Sequence, residues 1–251
     1  MSGADAAAAV PARPGTLVSL LTLYRLLLRT QITIPRLLGI AALGALSVVI
    51  GLFARWDASS AQAAVDSVSS YGLGVLVPLA ALWLGTSAIG DLVEDRLLVY
   101  LWLKPVPRWQ LPAAAALATA SVVLPLTAVP LAASALVAGA EGAVAWAALL
   151  AASLAALAYA ALFVAAGIWS RRAVWWGLAF VLLWENVAAH AAEGAARFTV
   201  IGWAASILGL APEVDVRLEA GSPSVAFVIL PTIALTAWLA ATWRYRRTDI
   251  D

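Results

Sequence analysis

Cysteine is absent, lysine, histidine and methionine occur once each, and Asp, Glu, Lys and Arg together make up only 12% of the 251 residues. Without cysteine there can be no disulfide, iron–sulfur cluster, thiolate zinc site or cysteine nucleophile, and the redox compartment leaves no mark. A P-loop needs Gly-Lys-Ser/Thr. The one lysine, Lys104, stands between Leu103 and Pro105, so the chain carries no such ATP site. The one histidine, His190, lies outside any His-Glu-x-x-His pattern and offers too few companions for zinc. Gly85-Thr-Ser-Ala-Ile-Gly90 is not the Gly-x-Ser-x-Gly of a serine hydrolase. The shortage of charge says most. Soluble domains are about 25% charged; here 64% of residues are hydrophobic, and too few polar ones exist to cover a water-facing surface. The apolar runs lack the period-2 alternation of a membrane barrel. The fold class is all-α integral membrane.

A membrane-crossing helix takes about 20 mostly apolar residues. On that measure the sequence predicts six transmembrane helices, at about 37–54, 71–90, 111–138, 143–169, 173–190 and 224–243. Residues 1–15, small and Pro-punctuated, predict a disordered cytoplasmic N-terminus, and 16–251 form a single membrane domain. Between the fifth and sixth spans, Thr199–Leu210 is apolar but too short to cross, which predicts a re-entrant or interfacial helix. The alternating Glu213–Glu219 that follows reads as a short exposed strand or an irregular loop. Pro78, Pro125, Pro130 and Pro231 predict kinks in the second, third and sixth spans. The fourth span has small residues four apart, which permits close helix packing but also reflects the abundance of Ala.

Basic residues favour the cytoplasmic side. Arg13, Arg25, Arg29, Arg36, Arg96, Lys104, Arg108, Arg171, Arg172, Arg244, Arg246 and Arg247 fall on one side of this map, and Arg55, Arg197 and Arg217 on the other; twelve and three account for all fifteen. Both termini are thereby predicted to be cytoplasmic, in the plasma (inner) membrane. The basic residues line a membrane edge and form no nucleic-acid patch. Trp102, Trp109, Trp169, Trp175, Trp176 and Trp243 fall near the inner boundary, and Trp56, Trp146 and Trp203 near the outer one, as an aromatic belt would. Trp83 and Trp238 sit deeper and are candidates for lining a path.

Thr16–Ile34 is apolar, closed by Pro35, with Arg25 and Arg29 four apart on one helical face and Leu17, Leu20, Leu21, Tyr24, Leu27 and Leu28 on the other. This predicts an amphipathic elbow helix (16–35) on the inner membrane surface, with Arg25, Arg29 and Arg36 meeting headgroups. A short extra span is the alternative, but each arginine at its centre would cost about 2.5–3.5 kcal/mol. The apolar run after Arg36 begins too late for a signal peptide.

The connection between the second and third spans reads G-D-L-V-E-D-R-L-L-V-Y-L-W-L-K-P-V-P-R-W-Q, residues 90–110. Asp91, Glu94 and Asp95 share one helical face, and Pro105 and Pro107 end the helix. Read alone, this is a helical loop with charges at a membrane edge. The stretch resembles the ABC-2 family of ATP-binding-cassette exporter permeases, which often read E-x-G-T-x-x-Y-L-x-x-x-P-V-x-R here. Glu94, Tyr100, Leu101, Pro105 and Arg108 match, while Arg96 and Leu97 replace the frequent Gly-Thr. The layout over about residues 16–247 is similar too. The resemblance implies a coupling helix that docks on a separate ATPase subunit: Asp91, Glu94, Asp95 and Arg96 would contact the ATPase, Tyr100 and Leu101 would pack on the membrane part, and Pro105 and Arg108 would close the motif. It implies two ATPase copies, which bind ATP and Mg, so that this chain holds no cofactor. It further implies a second permease chain, identical or related, and alternating-access export. The haem-exporter-like and copper-enzyme-maturation branches look similar at this loop. The scarcity of polar side chains in the spans tilts the expected substrate toward an amphiphile.

At the end of the fifth span Glu185, Asn186, His190 and Glu193 share a face. An ionisable group in a membrane is by default a functional candidate. The cluster reads as the outer mouth of a path (with Trp83, Thr86 and Ser87 of the second span), as interhelical hydrogen bonds, or as a cation relay. A membrane scaffold without transport, and an ion-coupled carrier using Glu185 and His190, remain alternatives.

Overall fold

The structure is a computed structural model that describes residues 16–56, 60–94, 107–170, 172–188, 194–212, 214–218 and 220–247; the side chains of 60, 91–94 and 188 lie outside it. The described residues form helices and turns, with no strand among them. The helices are α1 (Thr16–Gln31), α2 (Ile34–Ala54), α3 (Ser60–Ser67), α4 (Val77–Glu94), α5 (Gln110–Val137), α6 (Gly142–Trp169), α7 (Ala173–Ala179), α8 (Val200–Leu208) and α9 (Pro223–Arg247). π-helical segments, Val68–Leu76 and Phe180–Ala188, join α3 to α4 and extend α7. Among the described residues, five helical stretches are long and apolar enough to cross a membrane: Ile34–Ala54, Ala61–Gly90, Gln110–Val137, Gly142–Trp169 and Pro223–Arg247. The chain is a membrane protein.

Burial sorts these helices. In an apolar 18-residue stretch of each helix, 78% of residues are buried in Ala61–Gly90 and 67% in Gly142–Trp169, against 22% in Ile34–Ala54 and 28% in Pro223–Arg247, so α4 and α6 form the centre and α2 and α9 the flanks. Alanine makes the centre possible: Ala148, Ala151, Ala152, Ala155, Ala156 and Ala158 of α6 are fully buried, and small side chains let neighbouring backbones approach closely. The α5–α6 turn is built by Gly139 at φ 91°, with Gly139 N–H donating to Leu136 O and Ala140 N–H to Ala135 O, the paired bonds of a Schellman cap.

On the flanks, polarity runs opposite to a soluble protein. The inward stripe of α2 is Ile40, Gly44, Ser47 and Gly51, while Leu38, Leu46, Val49, Leu52 and Phe53 face out. A Cβ on Gly44 would lie 2.9 Å from Pro130 Cγ and 3.2 Å from Leu126 O, and Ser134 Oγ donates to Ser47 O at 2.7 Å. α1 follows suit. Its buried residues are Ser19, Leu23, Leu27 and Gln31, with Leu17 and Leu21 exposed, so a polar residue stands at each end of the buried stripe. The reason is bonding to α5: Ser19 Oγ donates to Gln110 Oε1 (2.8 Å) and Gln31 Nε2 to Thr119 Oγ1 (3.0 Å). Between these bonds α5 advances nine residues, so α1 runs obliquely beside α5. Arg25 and Arg29 are exposed, and Arg36 donates to Thr30 O.

α8 is a nine-residue helix buried along its whole length. Residues 214–218 are irregular and not a strand. They are clamped to α3: Gln62 Nε2 donates to Asp215 O (2.7 Å) and Asp215 N–H to Gln62 Oε1 (3.1 Å). Trp203 departs from the expected belt. It is 9% exposed, and its indole N–H donates to Arg197 O. Trp56, Trp146, Trp169, Trp175, Trp176 and Trp243 are exposed.

Candidate functional site

Proline starts the site. In an α-helix the amide of residue 78 would bond the carbonyl of Gly74, but Pro78 has no N–H. The chain before it widens into the π-helical Val68–Leu76, where Val77 N–H reaches back five residues to Gly72 O. Gly74 O instead accepts from Asn186 Nδ2 at 3.0 Å. Asn186 lies in the other π-helical segment and also donates to Val181 O, five residues back, at 2.8 Å. One amide side chain thus joins the two π-helical segments, a helix form that recurs at functional sites.

The adjacent residue, Glu185, is fully buried. Its carboxyl accepts from Tyr159 Oη–H (2.8 Å), Ile201 N–H (2.9 Å) and Val200 N–H (3.1 Å). Tyr159 is the largest wholly buried side chain of α6, stacked on Phe163 one turn away. Val200 and Ile201 open α8. A helix leaves its first four amides without intrahelical acceptors, and here all four have partners. Thr199 N–H donates to Ala196 O, Val200 and Ile201 donate to Glu185, and Gly202 N–H donates to Thr199 Oγ1 at 3.1 Å. Trp184 Nε1–H donates to Phe198 O at 3.1 Å beside them. At the far end of α8, Ser206 Oγ accepts Ala220 N–H (2.9 Å) and Gly221 N–H (3.3 Å). The carbonyls of Ser206, Ile207 and Leu208 at that end accept from the amides of Gly209, Leu210 and Ala211, so this short buried helix has partners at both ends.

A cleft of about 400 Å³ opens beside this junction, between α6, the second π-helical segment, α8 and α9. Leu162, Phe180, Arg197, Phe198, Trp203 and Ile229 line it, with Glu185 in its wall. The Glu185 carboxyl meets three donors, so it serves as an anchor for α8; among the described residues no ion pair joins it to Arg197.

The other candidates lie elsewhere. Thr86 Oγ1 donates to Leu82 O and Ser87 Oγ to Leu84 O, bonds within their own helix. Thr86 sits against Gly167, eight residues along α6 from Tyr159, or about 12 Å at 1.5 Å per residue. Trp83 packs on Gly39, where an added Cβ would lie 2.7 Å from the ring. The structure does not bring these three to Glu185. Asp91 and Glu94 fall in the last turn of α4; Asp95, Arg96, Tyr100, Leu101, Pro105 and His190 lie outside the described residues. Arg108 donates to Arg246 O at 2.7 Å, tying the start of α5 to the end of α9.

Sequence reasoning found Glu185 and Asn186 but missed Tyr159 and the amides of Val200 and Ile201. The signals were present: a single tyrosine in an Ala-Leu helix, and Thr199 directly before an apolar run, the pattern of an N-cap. A scan against protein-family models found no match for this chain, and a search of curated proteins found none either.

Proposed function

We propose that this chain is the membrane-spanning permease subunit of an ABC exporter, driven by a separate ATPase. The observation that carries the reading is the Glu94–Arg108 pattern on the connection between α4 and α5. The fold is consistent with it. α1 is the elbow; α2, α3–α4, α5, α6, α7 with its π-helical extension, and α9 are six spans; α8 is a re-entrant helix between the last two. The fifth span is tied to the start of α8 through Glu185. Both termini are cytoplasmic, and two permease chains assemble with two ATPases. ATP-driven closure of the ATPases rocks the coupling helix, and the packed α4–α6 core carries that motion to the α8 end. The cleft beside Glu185 is the outer mouth, and its apolar walls favour an amphiphilic substrate. Glu185 acts as an anchor rather than a cation relay, since three donors already occupy its carboxyl.

The test is association. Purified from its native host, the protein co-elutes with an ATPase, and E94K/D95K abolishes both co-elution and transport. Unchanged co-elution and transport in that variant refute the coupling assignment. The absence of cysteine allows single-cysteine labelling on a clean background: Ser69→Cys reacts from outside and Thr248→Cys from inside, and the opposite pattern overturns the topology.

A further inference from the structure

The first turn of α5 and the last turns of α9 enclose a second cleft, of about 580 Å³, lined by Trp109, Trp238, Leu239, Thr242, Trp243 and Arg246. Trp238 also lines an adjacent apolar slot of about 290 Å³ walled by Ala113, Ala116 and Leu117 of α5, Ala161 of α6 and Leu235 of α9.

The cleft holds groups whose bonding is incomplete. Thr242 is 6% exposed, and its hydroxyl has no partner among the described residues; the indole N–H of Trp238 is likewise buried without an acceptor. A buried donor without an acceptor is uncommon and calls for one. Three guanidinium groups gather here. Arg246 lines the cleft, Arg247 stacks over Trp243 at 4.0 Å, and Arg108 donates to Arg246 O. That last bond caps the carbonyl end of α9, whose partial negative charge would otherwise oppose an anion. Trp109 and Trp238, both lining the cleft, meet edge to face with 6.3 Å between centroids. From Thr242 to Leu235 the helix rises about 10 Å, so the slot runs along α9 away from the arginines.

A cleft with an arginine and unpartnered donors beside an apolar slot that shares Trp238 suits one lipid. We propose that this cleft binds a single anionic phospholipid, its phosphate at Arg246, Thr242 and Trp238 and one acyl chain in the slot. The proposal rests on α5 and α9 spanning the membrane, and is independent of the ATPase partnership.

Native mass spectrometry of the full-length protein, from nanodiscs holding equal phosphatidylglycerol and phosphatidylcholine, reads the site directly. The expected result is one phosphatidylglycerol retained per chain, with retention falling at least tenfold in R246Q/T242V and in the slot-filling A116L, but unchanged in R217Q, whose exposed side chain pairs with Asp66 away from the cleft. Equal retention of the two lipids, or retention indifferent to R246Q/T242V and A116L, overturns it. So does displacement of the adduct by millimolar inorganic phosphate, which would make the ligand a free anion. A dimer that R246Q/T242V dissociates without changing lipid retention overturns it in favour of a second copy of this chain. Melting temperatures within 3 °C of the parent show that the variants are folded. Resistance to carbonate extraction from native membranes checks the spanning reading separately.

Discussion

Removing the Glu185 carboxyl should detach the start of α8 more than any nearby substitution of similar size. Glu185→Ala leaves two backbone amides, Val200 and Ile201, and the Tyr159 hydroxyl without their acceptor in a buried site. Hydrogen bonds between membrane helices average about 0.6 kcal/mol and reach about 1.7. Three of them give about 2–5 kcal/mol. At about 2–4 °C per kcal/mol for a chain of this size, the melting temperature should fall by about 4–20 °C. Glu185→Gln keeps one oxygen for Ile201 and Tyr159 but turns an NH₂ toward Val200, so its loss should be about a third of that. Tyr159→Phe removes a single donor and should cost about 1 kcal/mol. The assay is thermal unfolding in detergent together with amide hydrogen exchange. Exchange at Val200 and Ile201 should rise in Glu185→Ala while the amides in the middle of α6 stay protected. A melting temperature within 2 °C of the parent, with Val200 and Ile201 still protected, would refute the anchor assignment.

Asn186→Ala removes the donor to Gly74 O and should lower stability by about 1 kcal/mol; Pro78→Ala restores an amide at position 78, so the double variant should recover part of the loss, and equal losses in both backgrounds would disprove the carbonyl argument. Gly44→Leu drives a side chain into Pro130 and the Leu126 carbonyl and should cost about 1–3 kcal/mol, whereas Leu46→Ala on the exposed face of α2 should stay within about 0.5 kcal/mol; comparable melting shifts would mean that α2 packs by another face. Gln62→Ala loses both bonds to Asp215, so amide exchange at Asp215 should accelerate. Asp66→Asn, which breaks an exposed 3.6 Å pair with Arg217, should change stability by no more than about 1 kcal/mol, with any loss vanishing in salt.

Hydropathy told where helices run but not which way they face, and the reason is the solvent. Apolar runs near 37–54, 111–138 and 143–169 correspond closely to α2, α5 and α6, because each break falls at charge, proline or glycine. Facing is different. In water, leucine marks the inside, but on α1 Leu17 and Leu21 are exposed while Ser19 and Gln31 are buried. In lipid there is no gain from hiding leucine, so what turns inward is what packs closely or needs a hydrogen bond. That explains Ser19 and Gln31 on α1, and Gly44, Ser47 and Gly51 on α2. The same logic makes Glu185 and Asn186 legible as inward groups, since a carboxyl or amide in hydrocarbon must find partners. Their partners were not legible: Tyr159 is 26 residues away and Gly74 is 112, and only the fold brings them together. The π-helical register left one trace, Pro78, whose missing amide is a local fact but whose consequence depends on a side chain from another helix. In a chain with so few polar groups, each one that enters the bundle has to be met by a specific neighbour. The residues that are scarce in the composition are therefore the ones that set helix orientation, while the abundant apolar ones set only depth.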